Sequence, residues 1–295
     1  MNMGQRAIDW HLRDEKKPAG TNYSRRLFWL IPGIVLFSFV ISFIFGSKPD
    51  FLLGKLGPSV NWFDFRIISY LNHFARRSWS VDTFFYLVDG NPLATAPLFI
   101  AFWWVWFKEG EQQDRNREFL LHGIMSTLLI GIVIRAVALL LPFRERPLHN
   151  PALHFQLPYN MDPSRLLGWS SFPSDHAILW FLVATTILFA SRRLGIFLLI
   201  YVSLMLCVSR MYLGIHYPTD ILAGALIGAG MALLCKVPTI RNYVTYQPLQ
   251  WLRRSPGSFY AVLFLVTGQL TEGFASVNQL RLYLHSTVTA LVRLV

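Results

Sequence analysis

Charged side chains are scarce in this sequence, and cysteine is nearly absent. Only 15% of the 295 residues are charged, whereas about 25% are charged in a typical soluble domain, and 54% are hydrophobic. So few water-facing side chains argue against a soluble protein. The two cysteines, Cys207 and Cys235, lie inside apolar runs, so we interpret them as small packing residues and expect no disulfide framework.

Long apolar runs account for the missing charge. Several are about as long as the roughly 20 residues that a bilayer-spanning helix needs. They predict an all-α, polytopic membrane protein, a bundle of six transmembrane helices with interfacial amphipathic helices beside it. The six predicted spans are 27–45, 90–107, 119–141, 177–190, 194–208 and 221–234. The last contains Gly224 and Gly228 as GxxxG, which indicates either close helix packing or only the abundance of glycine in membrane helices.

The runs divide the chain into three parts. Residues 1–26 form a polar, basic tail, 27–237 the six-span domain, and 238–295 a cytoplasmic or interfacial C-terminal tail. We interpret that last tail as amphipathic helix, with a seventh span left open. Between the first two spans, apolar residues recur at helical spacing from Phe63 to Phe74, which predicts a helix at the membrane interface.

The net charge of +11 is distributed in short segments between the apolar runs. That pattern is typical of cytoplasmic loops, so the expected partner is a lipid bilayer and not nucleic acid. The positive-inside rule places the N-terminus in the cytoplasm of a cell inner (plasma) membrane. Segments 46–89, 142–173 and 209–218 then lie outside, although 46–89 also carries basic residues. The oligomeric state is left open.

Three polar motifs interrupt the apolar pattern on this predicted outer side. They are PFRERP at 142–147, FPSDHA at 172–177 and SRMYLGIHYPTD at 209–220. Charged residues at membrane depth cost several kcal/mol and usually mark function. Because the three motifs come from distant parts of the sequence and share one depth, we expect them to form a single site.

The residue types in these motifs suit phosphate chemistry. Arg146 and Arg210 are forked cations that fit phosphoryl oxygens. His176 and His216 provide two imidazoles, one able to attack and one able to donate a proton. Asp220 lies four residues after His216, one helical turn away, where it could bind one ring nitrogen and leave the other free as a nucleophile.

Several of these residues have a purely structural interpretation. Ser174 could present its hydroxyl and nearby backbone N–H groups to an anion, or it could simply cap a helix that begins after Pro173. Histidines and arginines near an interface are commonly structural. We place four residues in that class: His122, His149, His154 and Arg165.

The motifs resemble those of the type 2 phosphatidic acid phosphatase superfamily. Its pattern is K-x6-R-P, then P-S-G-H, then S-R-x5-H-x3-D. The third motif is complete from Ser209 to Asp220, and the second is present with Asp175 in place of glycine. The first is half present, because Arg146 fits but Leu139 stands where the family has lysine. The resemblance covers about residues 27–237.

This resemblance implies hydrolysis of a phosphomonoester or diphosphate without metal or other cofactor. His216 would attack phosphorus and become a phosphohistidine, with Asp220 orienting it. His176 would protonate the leaving oxygen and then activate water. Three further residues would hold the phosphoryl oxygens of the lipid phosphate substrate: Arg146, Arg210 and Ser174.

Two departures from the family pattern carry their own predictions. Leu139 cannot hold phosphate, so we hypothesise that Arg135, on nearly the same helical face, or Arg144 supplies the missing charge. The version FPSDH resembles that of bacterial undecaprenyl diphosphate phosphatases. Asp175 is therefore predicted to tune substrate choice, and undecaprenyl diphosphate, hydrolysed to the monophosphate at the outer face, is the preferred substrate.

Other functions stay open at this stage. Phosphatidic acid or phosphatidylglycerol phosphate are alternative substrates. The superfamily also contains soluble vanadate-dependent haloperoxidases, against which the six predicted spans argue. A membrane transporter or scaffold that binds an anionic lipid without catalysis is the alternative from a different class.

Overall fold

The structure is a computed structural model that describes residues 60–140 and 143–272. Within these ranges all regular secondary structure is helical, which confirms the all-α prediction. The basic N-terminal tail, the predicted span 27–45 and the last part of the C-terminal tail lie outside the described residues.

Nine α-helices follow one another in the described ranges. They are α1 (Trp62–Asn72), α2 (Trp79–Gly90), α3 (Pro92–Phe107), α4 (Gln113–Leu140), α5 (Asp175–Ala190), α6 (Arg192–Tyr212), α7 (Pro218–Leu233), α8 (Pro238–Arg254) and α9 (Pro256–Thr271). A π-helical turn, Val202–Cys207, lies within α6, and a 3-10 turn, Leu234–Lys236, extends α7. Two further 3-10 turns, Pro147–His149 and Pro151–Leu153, lie in the long loop between α4 and α5.

The helix starts follow from local sequence. Proline occupies the first turn of α3, α7, α8 and α9, where its missing N–H would have had no helical partner. Asn91 caps α3 by accepting a hydrogen bond from the backbone N–H of Leu93 at 2.9 Å. Prolines and cap residues at the helix starts therefore explain why apolar runs that are adjacent in sequence form separate helices.

Two helices in the described ranges are long and apolar enough to cross a membrane. They are α6 and the extended α7 helix, Pro218–Lys236, while α3 and α5 are shorter apolar helices. Large apolar side chains point outward from several of these helices, including Leu93, Trp104 and Leu226, each at least 70% exposed. A lipid environment accommodates such a surface, so the described helices support a membrane protein. These two helices do not establish the predicted count of six spans, which stays a prediction.

Helix α5 occupies the centre of the bundle. Its most extensive contact is with α7, followed by its contacts with α4 and α6. Helix α9 joins the same core through Phe259 and Leu263, and the hydroxyl of Thr95 donates to the carbonyl of Thr271 at 2.7 Å. The sequence predicted an interfacial tail here with an optional seventh span, whereas α9 packs against α3 as part of the bundle. The division of the chain at residue 237 stays a prediction.

The contact between α5 and α7 depends on two glycines. A Cβ atom on Gly224 would lie 2.6 Å from the carbonyl oxygen of Ser174, and one on Gly228 would lie 2.2 Å from that of Ile178. These distances are too short for any side chain, so the GxxxG sequence does mark close packing. The two helices that carry the second and third motifs are thereby held backbone against backbone.

We predict that Gly228→Ala destabilises the protein. The added methyl group meets backbone that no rotamer change can move aside, and overpacking of this kind costs roughly 1–3 kcal/mol. The thermal unfolding midpoint in detergent should fall by several degrees. Gly230→Ala is the matched control, because a Cβ there meets nothing within 4 Å. Equal midpoints for the two variants would contradict this packing.

Candidate active site

The three polar motifs meet at one end of the helix bundle. The backbone N–H of Ser171 donates to the carbonyl of Arg144 at 2.9 Å, which joins the second motif to the first. The backbone N–H of Ser174 donates to the carbonyl of Asp220 at 3.2 Å, which joins the second to the third. The sequence-based expectation of a single site therefore agrees with this arrangement of the backbone.

His216 lies in the turn between α6 and α7 and is almost fully buried. Its Nδ1 lies 2.8 Å from the carbonyl oxygen of Ser171. Because a carbonyl can only accept, Nδ1 carries the proton and Nε2 presents its lone pair. Arg210 Nη1 lies 3.4 Å from that Nε2. The reactive nitrogen of the ring thus faces a cation that can also hold an anion.

Asp220 supports His216 in a different way from the one predicted. Its Oδ2 lies 3.7 Å from His216 Nδ1, which is an ion-pair distance and too long for a hydrogen bond. The hydrogen bond that fixes the ring goes to the Ser171 carbonyl instead. Asp220 therefore contributes its charge to the ring, while the loop before α5 supplies the orientation.

The surroundings of His216 favour its neutral form. Burial lowers the pKa of His216 to about 4, and the nearby Arg146 and Arg210 also lower it, although Asp220 acts in the opposite direction. At neutral pH the ring is therefore uncharged. That is the form in which an imidazole nitrogen can attack.

Arg144 is engaged by two buried carboxylates. Its Nη2 lies 2.5 Å from Asp64 Oδ2, and its Nη1 pairs with Asp220 Oδ1. The guanidinium also stacks over the ring of Tyr217 at 4.1 Å. The sequence suggested Arg144 as a possible phosphate ligand, and that role stays a prediction. Its contacts in the structure suit a different role, in which Arg144 positions Asp220.

Arg146 and Arg210 are the arginines that surround His216. Arg146 donates from Nη1 to the carbonyl of Ile215 at 2.7 Å and from Nη2 to the carbonyl of Ser170 at 3.1 Å. Arg210 Nε forms an ion pair with Asp89 Oδ1 at 3.0 Å. Both guanidinium groups are buried and fixed by these partners, and a fixed guanidinium is suited to orienting donors toward a bound anion.

Arg135 and Leu139 both lie in α4, but their side chains are not among those that the structure describes. The hypothesis that Arg135 replaces the family lysine therefore stays a prediction.

Ser174 is the N-cap of α5. Its Oγ accepts a hydrogen bond from the backbone N–H of Ala177 at 3.3 Å, so the capping interpretation is confirmed. The hydroxyl still has its own proton to donate. The phosphate-binding role predicted for Ser174 is compatible with this cap and stays a prediction.

Asp175 and His176 form a pair at the start of α5. Asp175 Oδ1 lies 2.8 Å from His176 Nδ1, and the ring of His176 packs edge-on against Trp180 with 5.4 Å between ring centroids. A carboxylate at that distance keeps a proton on Nδ1, so Nε2 is the atom left to exchange protons. The ring is partly exposed, which allows it to reach a substrate or water.

Sequence reasoning missed three buried aspartates on α1 and α2. Asp64 binds Arg144, and Asp89 binds Arg210. Asp82 accepts hydrogen bonds from the hydroxyl of Tyr212 and from the backbone N–H groups of Arg76 and Tyr159. Asp82 and Asp89 each interrupt the apolar stretch SVDTFFYLVD. The same rule that selected the three motifs, a charge in an apolar context, would have identified them.

We predict that the acidic limb of the pH profile lies near pH 4. If His216 is the nucleophile, it attacks as the neutral ring, and its lowered pKa keeps it neutral until the pH falls through about 4. The pH dependence of kcat/KM for phosphate release reports the free enzyme. After correction for substrate ionisation by phosphorus NMR, a limb that remains near 6.5 would show that the environment does not keep His216 neutral.

We predict that Asp175→Asn lowers kcat more than it raises KM. The variant keeps the size of the side chain but loses the negative charge, and its amide can turn an NH2 donor toward His176 Nδ1, which would favour the wrong tautomer. General acid–base catalysis contributes about 10²–10⁴-fold. The loss should be smaller for an aryl phosphate, whose leaving group needs little protonation. Glu111→Gln is the control, because it is the same carboxylate-to-amide change at an exposed residue in the loop between α3 and α4. Equal losses on both leaving groups would refute the positioning role.

Comparison with known proteins agrees with the motifs. Residues 119–242 match the family model of the PAP2 superfamily. The chain is 29% identical over 168 residues to the undecaprenyl-diphosphatase BcrC of Bacillus subtilis, which covers 57% of this chain and 78% of that protein. Over 64 residues it is 41% identical to the bacitracin transport permease protein BcrC of Bacillus licheniformis, covering 22% of this chain and 31% of that one.

A third relative is the putative undecaprenyl-diphosphatase YbjG of Escherichia coli, 36% identical over 85 residues, or 28% of this chain and 43% of that protein. A search of the solved structures found no match. The matched segment contains most of α4, the long loop and helices α5 to α7, and with them all three polar motifs. Through residues 119–242, this chain is therefore similar to the PAP2 superfamily.

Proposed function

We propose that this protein is a membrane lipid phosphatase that hydrolyses undecaprenyl diphosphate to the monophosphate. The observation that carries the proposal is the pair of imidazoles. His216 is buried and presents Nε2 beside Arg210, and His176 is partly exposed and held by Asp175. The family match and the relatives support a hydrolase that acts on lipid phosphate or diphosphate esters.

In the first step His216 Nε2 forms a bond to the terminal phosphorus of the substrate. The bond from that phosphorus to the bridging oxygen breaks, and the lipid monophosphate leaves. His176 donates a proton to the leaving oxygen from Nε2. The product on the protein is a phosphohistidine at His216, whose Nδ1–H stays bonded to the Ser171 carbonyl.

In the second step water attacks the same phosphorus. His176, now without its Nε2 proton, accepts a proton from that water, and the nitrogen–phosphorus bond breaks. Inorganic phosphate leaves and both imidazoles return to their starting forms. The sum is one lipid diphosphate and one water converted to one lipid monophosphate and one phosphate, with no metal or other cofactor required.

The arginines lower the barrier by meeting charge as it develops on the phosphoryl oxygens. Arg146 and Arg210 are held in place by carbonyl and carboxylate partners before the substrate binds, so little reorganisation accompanies the reaction. Ser174 adds a hydroxyl donor at the start of α5. Asp220 stabilises the positive charge that appears on His216 during attack.

We further propose six spans in the inner (plasma) membrane, with the N-terminus in the cytoplasm and the site on the periplasmic or extracellular side. The apolar helices α3, α5, α6 and α7 support the bilayer location. The concentration of basic residues in the segments opposite the site supports the orientation. A site on that side would meet a lipid diphosphate at the outer leaflet.

The substrate rests on the names of the relatives and on the FPSDH motif. The Bacillus subtilis relative is named an undecaprenyl-diphosphatase, and the Escherichia coli relative a putative undecaprenyl-diphosphatase. Phosphatidic acid and phosphatidylglycerol phosphate present the same phosphoryl chemistry and are the alternatives. A non-catalytic protein that binds anionic lipid is the alternative from another class, and the permease name of the Bacillus licheniformis relative belongs to it.

We predict that the purified protein in detergent releases phosphate from undecaprenyl diphosphate in the presence of EDTA. His216→Ala removes the nucleophile and should reduce release by several orders of magnitude. His149→Ala is the matched control, since His149 lies in the loop between α4 and α5 and, within the described ranges, its side chain forms one hydrogen bond, with the carbonyl of Pro163. It should retain most of the activity.

The outcomes separate the alternatives. Faster release from phosphatidic acid than from undecaprenyl diphosphate would reassign the substrate and leave the mechanism in place. Loss of activity on chelation would overturn the metal-free mechanism. No release from either lipid by the wild-type protein would favour the non-catalytic alternative.

A further inference from the structure

We infer that Arg165 binds the lipid-linked phosphoryl group of a diphosphate substrate, and that Asp89 positions it beside Arg210. The inference rests on the proposed function and deepens it, because it names the residue that would distinguish a diphosphate from a monophosphate. The sequence analysis had placed Arg165 among the structural residues.

Asp89 connects the two arginines. It is the next-to-last residue of α2, and its side chain is fully buried. Oδ1 lies 3.0 Å from Arg210 Nε, and Oδ2 lies 2.6 Å from Arg165 Nη2. One carboxylate therefore holds an arginine of the third motif and an arginine of the outer loop on its two oxygens. The two guanidinium groups are consequently neighbours.

The charge of this cluster favours an anion. Burial by itself would raise the pKa of Asp89, but Arg210 and Arg165 hold it below its ordinary value. Asp89 is therefore ionised and offsets one of the two positive charges, which leaves a net charge of about +1 beside the neutral ring of His216. A second phosphoryl group would find a complementary charge here.

Arg165 is also more accessible than Arg210. Its side chain is 27% exposed, compared with 6% for Arg210. Among the described residues it uses Nη2 for Asp89 and Nη1 for a weak contact with Met161 Sδ at 3.9 Å. A guanidinium has five N–H donors, so donors remain for phosphoryl oxygens.

The two arginines, Arg210 further inside and Arg165 more exposed, match the order of the two phosphoryl groups of a lipid diphosphate. If His216 attacks the terminal phosphorus next to Arg210, the lipid-linked phosphoryl group lies further out, toward the more exposed Arg165. Negative charge grows on that group as the bond to the bridging oxygen breaks, and a cation there stabilises the leaving lipid monophosphate. A monophosphate lipid has no such group. Arg165 would also supply charge that Leu139 cannot provide.

The test compares Arg165→Gln with wild type on a matched pair of lipids, farnesyl diphosphate and farnesyl monophosphate, in detergent. Removing one preorganised donor to a developing charge costs on the order of 10²-fold in kcat. We expect kcat/KM for the diphosphate to fall at least about tenfold more than kcat/KM for the monophosphate. Inorganic pyrophosphate should also weaken as a competitive inhibitor by a larger factor than inorganic phosphate.

Two further variants separate binding from folding. Arg66→Gln removes an arginine from the exposed face of α1, where it stacks on Trp62. This variant should keep the wild-type ratio of kcat/KM for the two lipids. Asp89→Asn releases both arginines, so it should lower turnover of both lipids, with unfolding midpoints measured for each variant.

Equal loss on both lipids with Arg165→Gln, or no loss on either, would overturn the inference. Equal loss would mean that Arg165 only holds Asp89 and Arg210 in place. If the wild-type protein released no phosphate from either lipid, the proposed function itself would fail. Failure of this inference alone would look different. The wild-type protein would be active, and Arg165→Gln would keep the wild-type ratio of kcat/KM for the two lipids.

Discussion

A buried guanidinium must be paired, and the pairing of Arg144 is the interaction on which the rest of the site depends. Its partners are Asp64 on α1 and Asp220 at the start of α7. Removing one member would leave an uncompensated charge in a low-dielectric environment, which is strongly destabilising. Because Asp220 is held by Arg144 and by the backbone N–H of Tyr217, the turn that contains His216 has one defined geometry.

The same requirement explains how the other charges are arranged. Each buried arginine near His216 is met by a carboxylate or by backbone carbonyls. Burial, together with the nearby Arg146 and Arg210, lowers the pKa of His216 and keeps the imidazole neutral, and the same two guanidinium groups can attract an anion. The carboxylates come from α1 and α2, so the segment before residue 119 completes a site whose motifs all lie after it.

Much of the site was predictable because its residues are spaced by helix geometry and local turns. The intervals from Ser209 to Asp220 fix His216 one turn before the carboxylate, and the α5 cap follows directly from Pro173 and Ser174. The partner of His216 Nδ1 was not predictable, because it is a backbone carbonyl, which every residue has. The roles of Arg144 and Arg165 also depended on long-range contacts with Asp64 and Asp89, which no local spacing encodes. The packing of α9 against α3 likewise involves residues far apart in sequence, such as Thr95 and Thr271, which no local spacing pairs.

The close contact of α5 with α7 has a consequence for how this scaffold can diversify. With glycines at the crossing and a backbone hydrogen bond between Ser174 and Asp220, the two imidazoles are carried by a single rigid unit. A change of lipid headgroup cannot be accommodated by altering the spacing of these helices without also displacing the reacting nitrogen. New specificity has to arise at other positions of α1, α2 and the loop between α4 and α5, where residues besides Asp64, Asp89, Arg144 and Arg146 can vary while these contacts are kept.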